Sequence, residues 1–238
     1  MKNSVQDEFI STVSHEMRTP LTSIRGFSQT LLSSWDKIDD DNKKKFIKII
    51  EEQSNRLINL VENILTVSKA NAGNTVMKKV FINASINSIL PIFKEQYKSH
   101  NIIFNPQKDL PAARLDEDKF QQIMTNLIDN GGKYSESGST VLITTESKGD
   151  EIIIKVKDEG VGIKKEDADK LFKKFSRIEN HLTSKTQGNG LGLYITKQLV
   201  EGMNGSITFE SNGEKGTIFI VTFPVYNEEE ALKCSQKS

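Results

Sequence analysis

His15 is the first candidate for a catalytic nucleophile in this chain, because a neutral imidazole is a nucleophile at physiological pH. Glu16 follows it and can accept a proton. Pro20 lacks a backbone N–H and costs about 3 kcal/mol inside a helix. In the apolar heptad stripe around it, His15 falls at position f, the position farthest from the packed seam. Taken alone, His15 is better explained as an ordinary surface histidine, but these neighbours favour an exposed nucleophile.

A second polar cluster runs from Asn126 to Asn130. The two asparagines are four residues apart, so a helix presents both on one face. Amide oxygens suit Mg²⁺, which keeps most of its waters and binds the phosphates of a nucleotide. Lys133 follows at a distance that favours contact with a phosphate. A solvated helix face is the alternative interpretation.

Two glycine-rich motifs come later in the chain. Asp158 precedes Gly160 and Gly162 after a β-rich run, where its carboxylate can accept from an adenine amino group and the glycines allow a tight turn. Residues 188–193 open a helix whose free N–H groups suit phosphate. Neither motif is a P-loop or a dinucleotide fingerprint. Residues 163–187 have apolar anchors and a polar middle, which predicts a lid over a ligand.

Composition limits the class of protein. The 238 residues include 32 basic and 32 acidic side chains, with 27% charged and 36% hydrophobic residues, as in globular proteins. Zero formal net charge argues against nucleic acid as the main partner. The single Cys234 forms no internal disulfide, which fits a reducing compartment. Without a signal peptide or an apolar run of ~18 residues, we expect a cytoplasmic protein or the cytosolic portion of a longer one.

The elements that position His15 are two predicted helices within residues 1–69. The second helix carries an apolar seam with steps of four and three, formed by Phe46, Ile50, Gln53, Leu57, Leu60, Ile64 and Val67. A similar stripe on the first helix is formed by Ile10, Val13, Met17, Leu21, Ile24 and Leu31. Polar residues 33–42 predict the turn of a hairpin. One hairpin buries little, so we expect a homodimer whose two hairpins form a four-helix bundle.

Residues 70–79 predict a linker, and the remaining elements form a different pattern. Asn83 is expected to cap a helix, Asp116 to begin another, and several β-rich runs are joined by glycine turns. Strands and helices do not alternate regularly, so residues 80–226 predict an α+β two-layer sandwich. The polar residues 227–238 predict a flexible tail.

Five motifs occur in one order that resembles the sensor histidine kinases of two-component systems. FISTVSHEMRTPLT (9–22) is similar to their H box, NLIDNGGKYS (126–135) to their N box and DEGVGI (158–163) to their first glycine box. LFKKF (171–175) is similar to the F box and GNGLGL (188–193) to the second glycine box. The resemblance implies a dimerisation and histidine phosphotransfer domain followed by a Bergerat-type ATP-binding catalytic domain.

The resemblance also implies roles for individual residues in an ATP- and Mg²⁺-dependent autokinase. It implies His15 as phospho-acceptor, Glu16 as base and Thr19 as the residue that positions water in a phosphatase reaction. Its implied nucleotide-binding residues, with Asn130 as the metal ligand, are Asn126, Asn130, Lys133, Tyr134, Asp158, Gly160, Gly162, Arg177, Gly188, Gly190, Leu191 and Gly192. The phosphoryl group would pass to an Asp of a response regulator receiver domain. A membrane is expected only if an N-terminal sensor region spans it.

One departure from the family pattern is the pair Gly131 and Gly132, where Ala and a larger apolar residue are usual. In a continuing helix each glycine costs about 0.8–1.0 kcal/mol relative to Ala. If Gly131 is a left-handed cap, that cost is absent. The spacing of Lys133 and Tyr134 favours the continuing helix. Two other functions stay open: a gyrase-type or mismatch-repair ATPase, which lacks a histidine-bearing hairpin, and a dimeric pseudokinase scaffold, which the glycine pair alone supports.

Overall fold

The computed structural model describes residues 2–70, 75–176, 178, 190–211, 213 and 215–228, with the side chains of 2–10 and 67–70 outside that description. The chain divides into two compact units, Met1–Ser68 and Lys69–Ser238. A search of the described residues finds no helix with both the length and the apolar character that a membrane span requires.

The first unit is a helical hairpin, as predicted. It consists of α1 (Lys2–Ser34), a short 3₁₀ helix (Trp35–Lys37) and α2 (Asp40–Ala70). The Asp39 carboxylate accepts from the N–H of Asn42 at 2.9 Å and so satisfies a free donor in the first turn of α2. The two hydrogen bonds from Asn42 lower the pKa of Asp39. Between the helices, the ring centroids of Phe27 and Phe46 lie 5.1 Å apart.

The predicted seam lies between these two helices. Leu60 is 2% exposed and Leu31 is 8% exposed, and most other seam residues with described side chains are half-buried. Leu21 differs, because 48% of its side chain is exposed. Pro20 is buried inside α1 and does not end the helix. A single hairpin therefore covers only part of the apolar surface that the heptad pattern provides.

The second unit is built on strands with alternating burial. Its described strands are β1 (Lys78–Val80), β2 (Asn101–Pro106), β3 (Ala113–Leu115), β4 (Thr140–Lys148), β5 (Glu151–Lys157), β6 (Ser206–Glu210) and β7 (Ile218–Pro224). One sheet has the order β2-β4-β5-β7-β6, with β2 and β4 parallel and the other neighbours antiparallel. Strands β1 and β3 form a separate antiparallel pair.

Helices cover one face of the larger sheet. The described α-helices of this unit are α3 (Ile82–Gln96), α4 (Glu117–Lys133) and α5 (Gly192–Glu201). Helix α4 lies between α3 and α5 and packs on β4 and β5. Its fully buried side chains are Phe120, Ile123, Met124, Leu127 and Ile128. The predicted α+β two-layer sandwich is confirmed, with α4 at its centre.

Two local predictions were wrong. Asn83 does not cap α3, which begins one residue earlier. The Asn83 amide instead accepts from the Thr145 hydroxyl at 2.8 Å and donates to the Gln107 carbonyl at 3.0 Å. Strand β3 was missed, because three residues are too few to show an alternating pattern.

The predicted linker and tail are only partly described, since residues 71–74 and 229–238 lie outside the described residues. Beyond residue 74 the chain is already attached to the second unit. The N–H of Val76 donates to the Asp116 carboxylate at 3.0 Å, and Lys119 Nζ donates to Thr75 Oγ1 at 2.6 Å. Asp116 also caps α4 by accepting from a backbone N–H of its first turn.

The glycine pair lies inside α4, which continues to Lys133 without a positive φ at either position. The left-handed cap interpretation of Gly131 is therefore wrong. A Cβ at Gly131 would lie 3.0 Å from Val141 Cγ1, and a Cβ at Gly132 would lie 2.6 Å from Cε1 of Tyr97. Both glycines allow close packing, one against β4 and the other against the aromatic ring that follows α3.

This packing predicts different effects of alanine at the two positions. Gly132→Ala should destabilise the protein by up to about 2 kcal/mol, because overpacking costs about 1–3 kcal/mol and helix propensity returns about 1. Gly131→Ala should be close to neutral, since Val141 must move by only a few tenths of an ångström. Urea-induced unfolding of the whole chain measures both changes.

Gly26→Ala is the matched control, because Gly26 is an exposed position of α1 where an added Cβ would meet nothing within 4 Å. It should raise stability by up to about 1 kcal/mol from helix propensity alone. A stabilising effect of Gly132→Ala would contradict the packing of Tyr97 on α4.

Candidate functional site

His15 is exposed on α1, as position f predicts. The carboxylate of the neighbouring Glu16 contacts the other helix of the hairpin, where Oε2 lies 3.2 Å from Nη2 of Arg56. Sequence analysis missed Arg56. Its signal is a basic residue beside the α2 seam, at the g position where interhelical ion pairs form. The ion pair restrains the side chain of Glu16, which follows His15 in the sequence. The His15 side chain itself is exposed to solvent.

Thr19 is exposed one turn after His15. Its hydroxyl donates to the His15 carbonyl at 3.5 Å, which is long for a hydrogen bond. Pro20 offers no N–H to the carbonyl of Glu16 four residues earlier. In this turn of α1, the Thr19 hydroxyl therefore forms only a long hydrogen bond within the helix, and the Glu16 carbonyl receives none from Pro20.

The two asparagines of α4 have different surroundings. Asn126 Nδ2 donates to the Gly192 carbonyl at 3.5 Å and to Thr196 Oγ1 at 3.3 Å, which ties α4 to the first turn of α5. Asn130 is half-buried, and its side chain forms no hydrogen bond with the part of the chain that the structure describes. Asn126 thus connects two helices, whereas the amide of Asn130 is available to a ligand.

Lys133 and Tyr134 lie at the end of α4. The Lys133 ammonium pairs with the Asp129 carboxylate one turn earlier. Tyr134 caps the helix through its N–H, which donates to the Asn130 carbonyl at 3.0 Å. Its own carbonyl accepts from the N–H of Val161 at 3.2 Å. That bond joins the end of α4 to the loop after β5, so the asparagine motif and the first glycine motif lie next to each other.

Asp158 is a buried charged residue, 7% exposed, directly after β5. Its Oδ1 accepts from the N–H groups of Gly160 at 2.8 Å and Thr217 at 3.1 Å, and no described residue donates to Oδ2. Burial raises the pKa of Asp158 to about 6, and the two N–H groups oppose that rise. A mostly buried carboxylate with one oxygen that accepts from no described residue suits a hydrogen-bond donor on a ligand.

Glycines around this carboxylate allow the backbone to approach closely. A Cβ at Gly160 would overlap the carbonyl oxygen of Tyr134, and one at Gly216 would lie 2.6 Å from the carbonyl oxygen of the aspartate itself. Gly162 has a φ of +71° and Gly190 a φ of +66°, in the left-handed region that favours glycine. Any side chain at these positions would disturb the walls of the site.

The second glycine motif is described only in part, because Gly188 lies outside the described residues, as does Arg177. Leu191 is fully buried, so only its backbone is able to face a ligand. Gly192 begins α5, where a Cβ would lie 3.9 Å from the Asn126 amide oxygen.

The predicted lid, residues 163–187, is described up to Ser176 and at Ile178. Its first part contains a 3₁₀ helix (Lys165–Lys170), and Leu171 after it is buried. The ring of Phe172 meets that of Phe209 on β6 with centroids 6.3 Å apart. The apolar anchors are thus packed on the sheet, while the lid itself stays a prediction.

Two residues of the site were missed by sequence analysis. Thr217 donates its N–H to Asp158, and Gly216 allows the strand to approach. The turn at Lys215 and Gly216 was the only local signal. Nothing in the sequence around Thr217 indicates contact with a residue on another strand.

The site fits an adenine nucleotide with an accompanying cation. Oδ2 of Asp158 is an acceptor that suits an exocyclic amino group. The described residues contain no group of three or more His, Cys, Asp or Glu arranged to hold a metal ion. Asn130 offers a single amide oxygen, which suits a cation bound mainly by phosphate oxygens and water.

Comparison with known proteins decides the family. Residues 5–73 match the His Kinase A (phospho-acceptor) domain, and residues 115–227 match the histidine kinase-, DNA gyrase B-, and HSP90-like ATPases. The chain belongs to the sensor histidine kinases. The phospho-acceptor match disfavours a gyrase-type or mismatch-repair ATPase, which has no histidine-bearing hairpin upstream.

The chain spans only 25%, 37% and 38% of the length of three curated relatives that it matches. Sensor histidine kinase WalK of Bacillus subtilis is 34% identical over 94% of this chain, which spans 37% of WalK. Histidine kinase ThkA, solved in complex with response regulator protein TrrA, has a TM-score of 0.77 at 25% identity, covering 94% of this chain and 63% of that one. Acinetobacter baumannii histidine kinase AdeS has a TM-score of 0.68 at 25% identity, covering 90% and 98% of the two chains.

The surroundings of Asp158 predict opposite effects of Asp158→Asn on binding and stability. The variant should bind ATP about ten- to a hundredfold more weakly, because a hydrogen bond to a charged acceptor contributes about 1.5–3 kcal/mol. It should unfold at the same or a higher temperature at pH 7, because the buried charge is removed. Calorimetric titration with ATP and Mg²⁺ and thermal unfolding measure the two effects.

The pH dependence follows from the same raised pKa. As pH falls from about 6 towards 4, folded Asp158 takes up a proton that the unfolded chain does not yet bind, so the stability cost of its charge disappears. The stability difference between parent and Asp158→Asn should narrow over this range, and ATP binding by the parent should weaken below pH 6. Equal ATP affinity of the two proteins at pH 7 would show that the adenine pocket is elsewhere.

Proposed function

We propose that this chain is the catalytic core of a protein-histidine autokinase that transfers the γ-phosphoryl group of ATP to His15. The observation that carries the proposal is the buried Asp158 carboxylate, whose Oδ2 accepts from no described residue, in a chain whose other unit exposes a histidine on a hairpin. The family matches support both parts, one for the acceptor and one for the ATPase fold.

Different residues of the second unit contact the base and the phosphates of the nucleotide. Asp158 accepts a hydrogen bond from the adenine amino group through Oδ2. Gly160 and Gly162 leave space for the base. The turn at Gly190 and the first N–H groups of α5 face the phosphates, since the first turn of a helix has donors without intrahelical partners. Asn126 keeps α5 attached to α4 beside that turn.

Phosphoryl transfer needs few covalent changes. An imidazole nitrogen of His15 attacks the γ-phosphorus of ATP, and the bond from that phosphorus to the bridging oxygen of ADP breaks. Glu16 accepts the imidazole proton or stabilises the charged ring. Lys133 offsets negative charge on the phosphates. Mg²⁺ held by Asn130 supplies further positive charge to the phosphate oxygens when it is bound.

We propose that the hairpin forms a four-helix bundle with a second copy of this chain. A second apolar stripe on α2, next to the seam, includes Ile58, Val61 and Leu65, which are 55%, 38% and 50% exposed. Ile47 on α2 and Leu21 on α1 are also about half exposed. Such a stripe is unfavourable in water, and its spacing of three and four suits helical packing.

The proposed acceptor of the phosphoryl group is an Asp on a response regulator receiver domain. The similarity to ThkA, which was solved with its response regulator protein, supports this partner. The proposed compartment is the cytoplasm, where ATP is available, with a membrane involved only if an N-terminal sensor region spans it.

A pseudokinase scaffold is the remaining alternative, and the glycine pair was its only support. Helix α4 continues through Gly131 and Gly132, and Asn130 stays available to a ligand. The structure around the pair therefore gives no reason for loss of nucleotide binding, which favours the active kinase.

Replacing His15 tests the proposed function. His15→Gln should abolish incorporation of acid-labile label from γ-labelled ATP, because it removes the nucleophile. It should leave ATP affinity and the dimer mass by light scattering unchanged, because position f lies outside the seam. His100→Gln, a histidine of the second unit, is the control and should still be labelled. Equal labelling of His15→Gln and parent would reject the assignment.

We also propose a phosphatase mode in which Thr19 positions water to hydrolyse the regulator's aspartyl-phosphate. Thr19→Ala should slow dephosphorylation of a cognate regulator about a hundredfold, the lower end of the contribution of a positioned proton-transfer group, while autophosphorylation is retained. Thr30→Ala removes the same kind of bond, from a hydroxyl to the carbonyl four residues earlier, and is the control. Parental phosphatase rates in Thr19→Ala would remove this role.

A further inference from the structure

Tyr97 lies directly on the helix that carries the nucleotide-binding asparagines. It follows α3, and a Cβ at Gly132 would lie 2.6–2.7 Å from three atoms of its ring. The ring thus occupies the space that a side chain at position 132 would fill. Glycine at this position is what allows the aromatic ring to reach the backbone of α4.

The Tyr97 hydroxyl reaches past Gly132 to Asp129. It donates to Asp129 Oδ1 at 2.6 Å, and Gln96 Nε2 donates to the same oxygen at 3.1 Å. The other oxygen, Oδ2, pairs with the Lys133 ammonium. Burial and the nearby Asp129 carboxylate raise the pKa of Tyr97, so the hydroxyl stays protonated and remains a donor at neutral pH.

Helix geometry places the paired lysine beside the ligand-binding face. At 3.6 residues per turn, Asn126, Asn130 and Lys133 fall within about 60° of one another around α4. Asp129 falls about 40° outside that sector, one turn before Lys133. A carboxylate fixed from the α3 side therefore limits where the Lys133 ammonium can lie.

We infer that Tyr97 is a positioning residue for phosphate recognition, acting through Asp129 on Lys133. This inference rests on the proposed function of the site. The hydroxyl fixes the carboxylate, the carboxylate restrains the ammonium, and the restrained ammonium meets the nucleotide phosphates with less loss of side-chain freedom. The adenine end of the site, around Asp158, does not depend on this network.

Comparing ATP with adenosine isolates the phosphate contribution. Tyr97→Phe keeps the ring on Gly132 and removes only the hydroxyl. It should weaken binding of ATP about three- to tenfold, the range of a single hydrogen bond, and leave adenosine binding unchanged. Lys133→Gln should show the same selectivity, and the double variant should lose little more than Lys133→Gln alone, because both residues act through one network. Titrations of the parent and the three variants with each ligand, followed by NMR, measure the affinities.

Tyr226→Phe is the matched control, because Tyr226 lies in the same unit near Lys79, outside this network. It should bind both ligands as the parent does. Equal weakening of ATP and adenosine binding by Tyr97→Phe would show a merely structural role, and unchanged ATP binding would show no role; either result overturns the inference. If the parent binds neither ligand, the proposed function fails together with this inference, which separates that case from the other two.

Discussion

A carboxylate enclosed in the second unit sets the conditions for much of this structure. Asp158 can lie directly after β5 only because two backbone N–H groups reach one of its oxygens. That reach requires a backbone without side chains at Gly160 and Gly216. Burial still raises the pKa of the aspartate, so the free protein carries a cost that a bound hydrogen-bond donor offsets. Stability and ligand recognition therefore oppose each other at this residue.

Helix α4 connects this carboxylate to the rest of the proposed site. Its apolar side fills the core over β4 and β5, and its polar side presents the asparagines. Its last turn has no side chains at Gly131 and Gly132, so β4 and Tyr97 lie close to the helix backbone there. The helix end is then joined to the loop after β5 through the carbonyl of Tyr134. A change in the packing of α4 is expected to affect both the metal-binding and the adenine-binding parts.

The hairpin meets a different physical requirement. Its heptad pattern supplies more apolar surface than two helices can cover, so Leu21, Ile58 and Leu65 stay about half exposed. His15 needs the opposite environment, because a nucleophile must be accessible. Position f on α1 separates the two requirements on one helix, and the ion pair between Glu16 and Arg56 lies beside the packed seam.

The sequence by itself determined the local features of this protein. Apolar periods predicted the hairpin and the sandwich, and the motifs predicted which residues carry chemistry, because periodicity and motif spacing are properties of short segments. Tertiary structure alone decided the partners: Glu16 pairs with a residue 40 positions away, and Asp158 accepts from an N–H 59 positions away. Sequence analysis predicted that Gly132 lowers the stability of the helix, but the fold packs the ring of Tyr97 against this glycine. Such contacts depend on how distant segments pack together, and no local pattern encodes that packing.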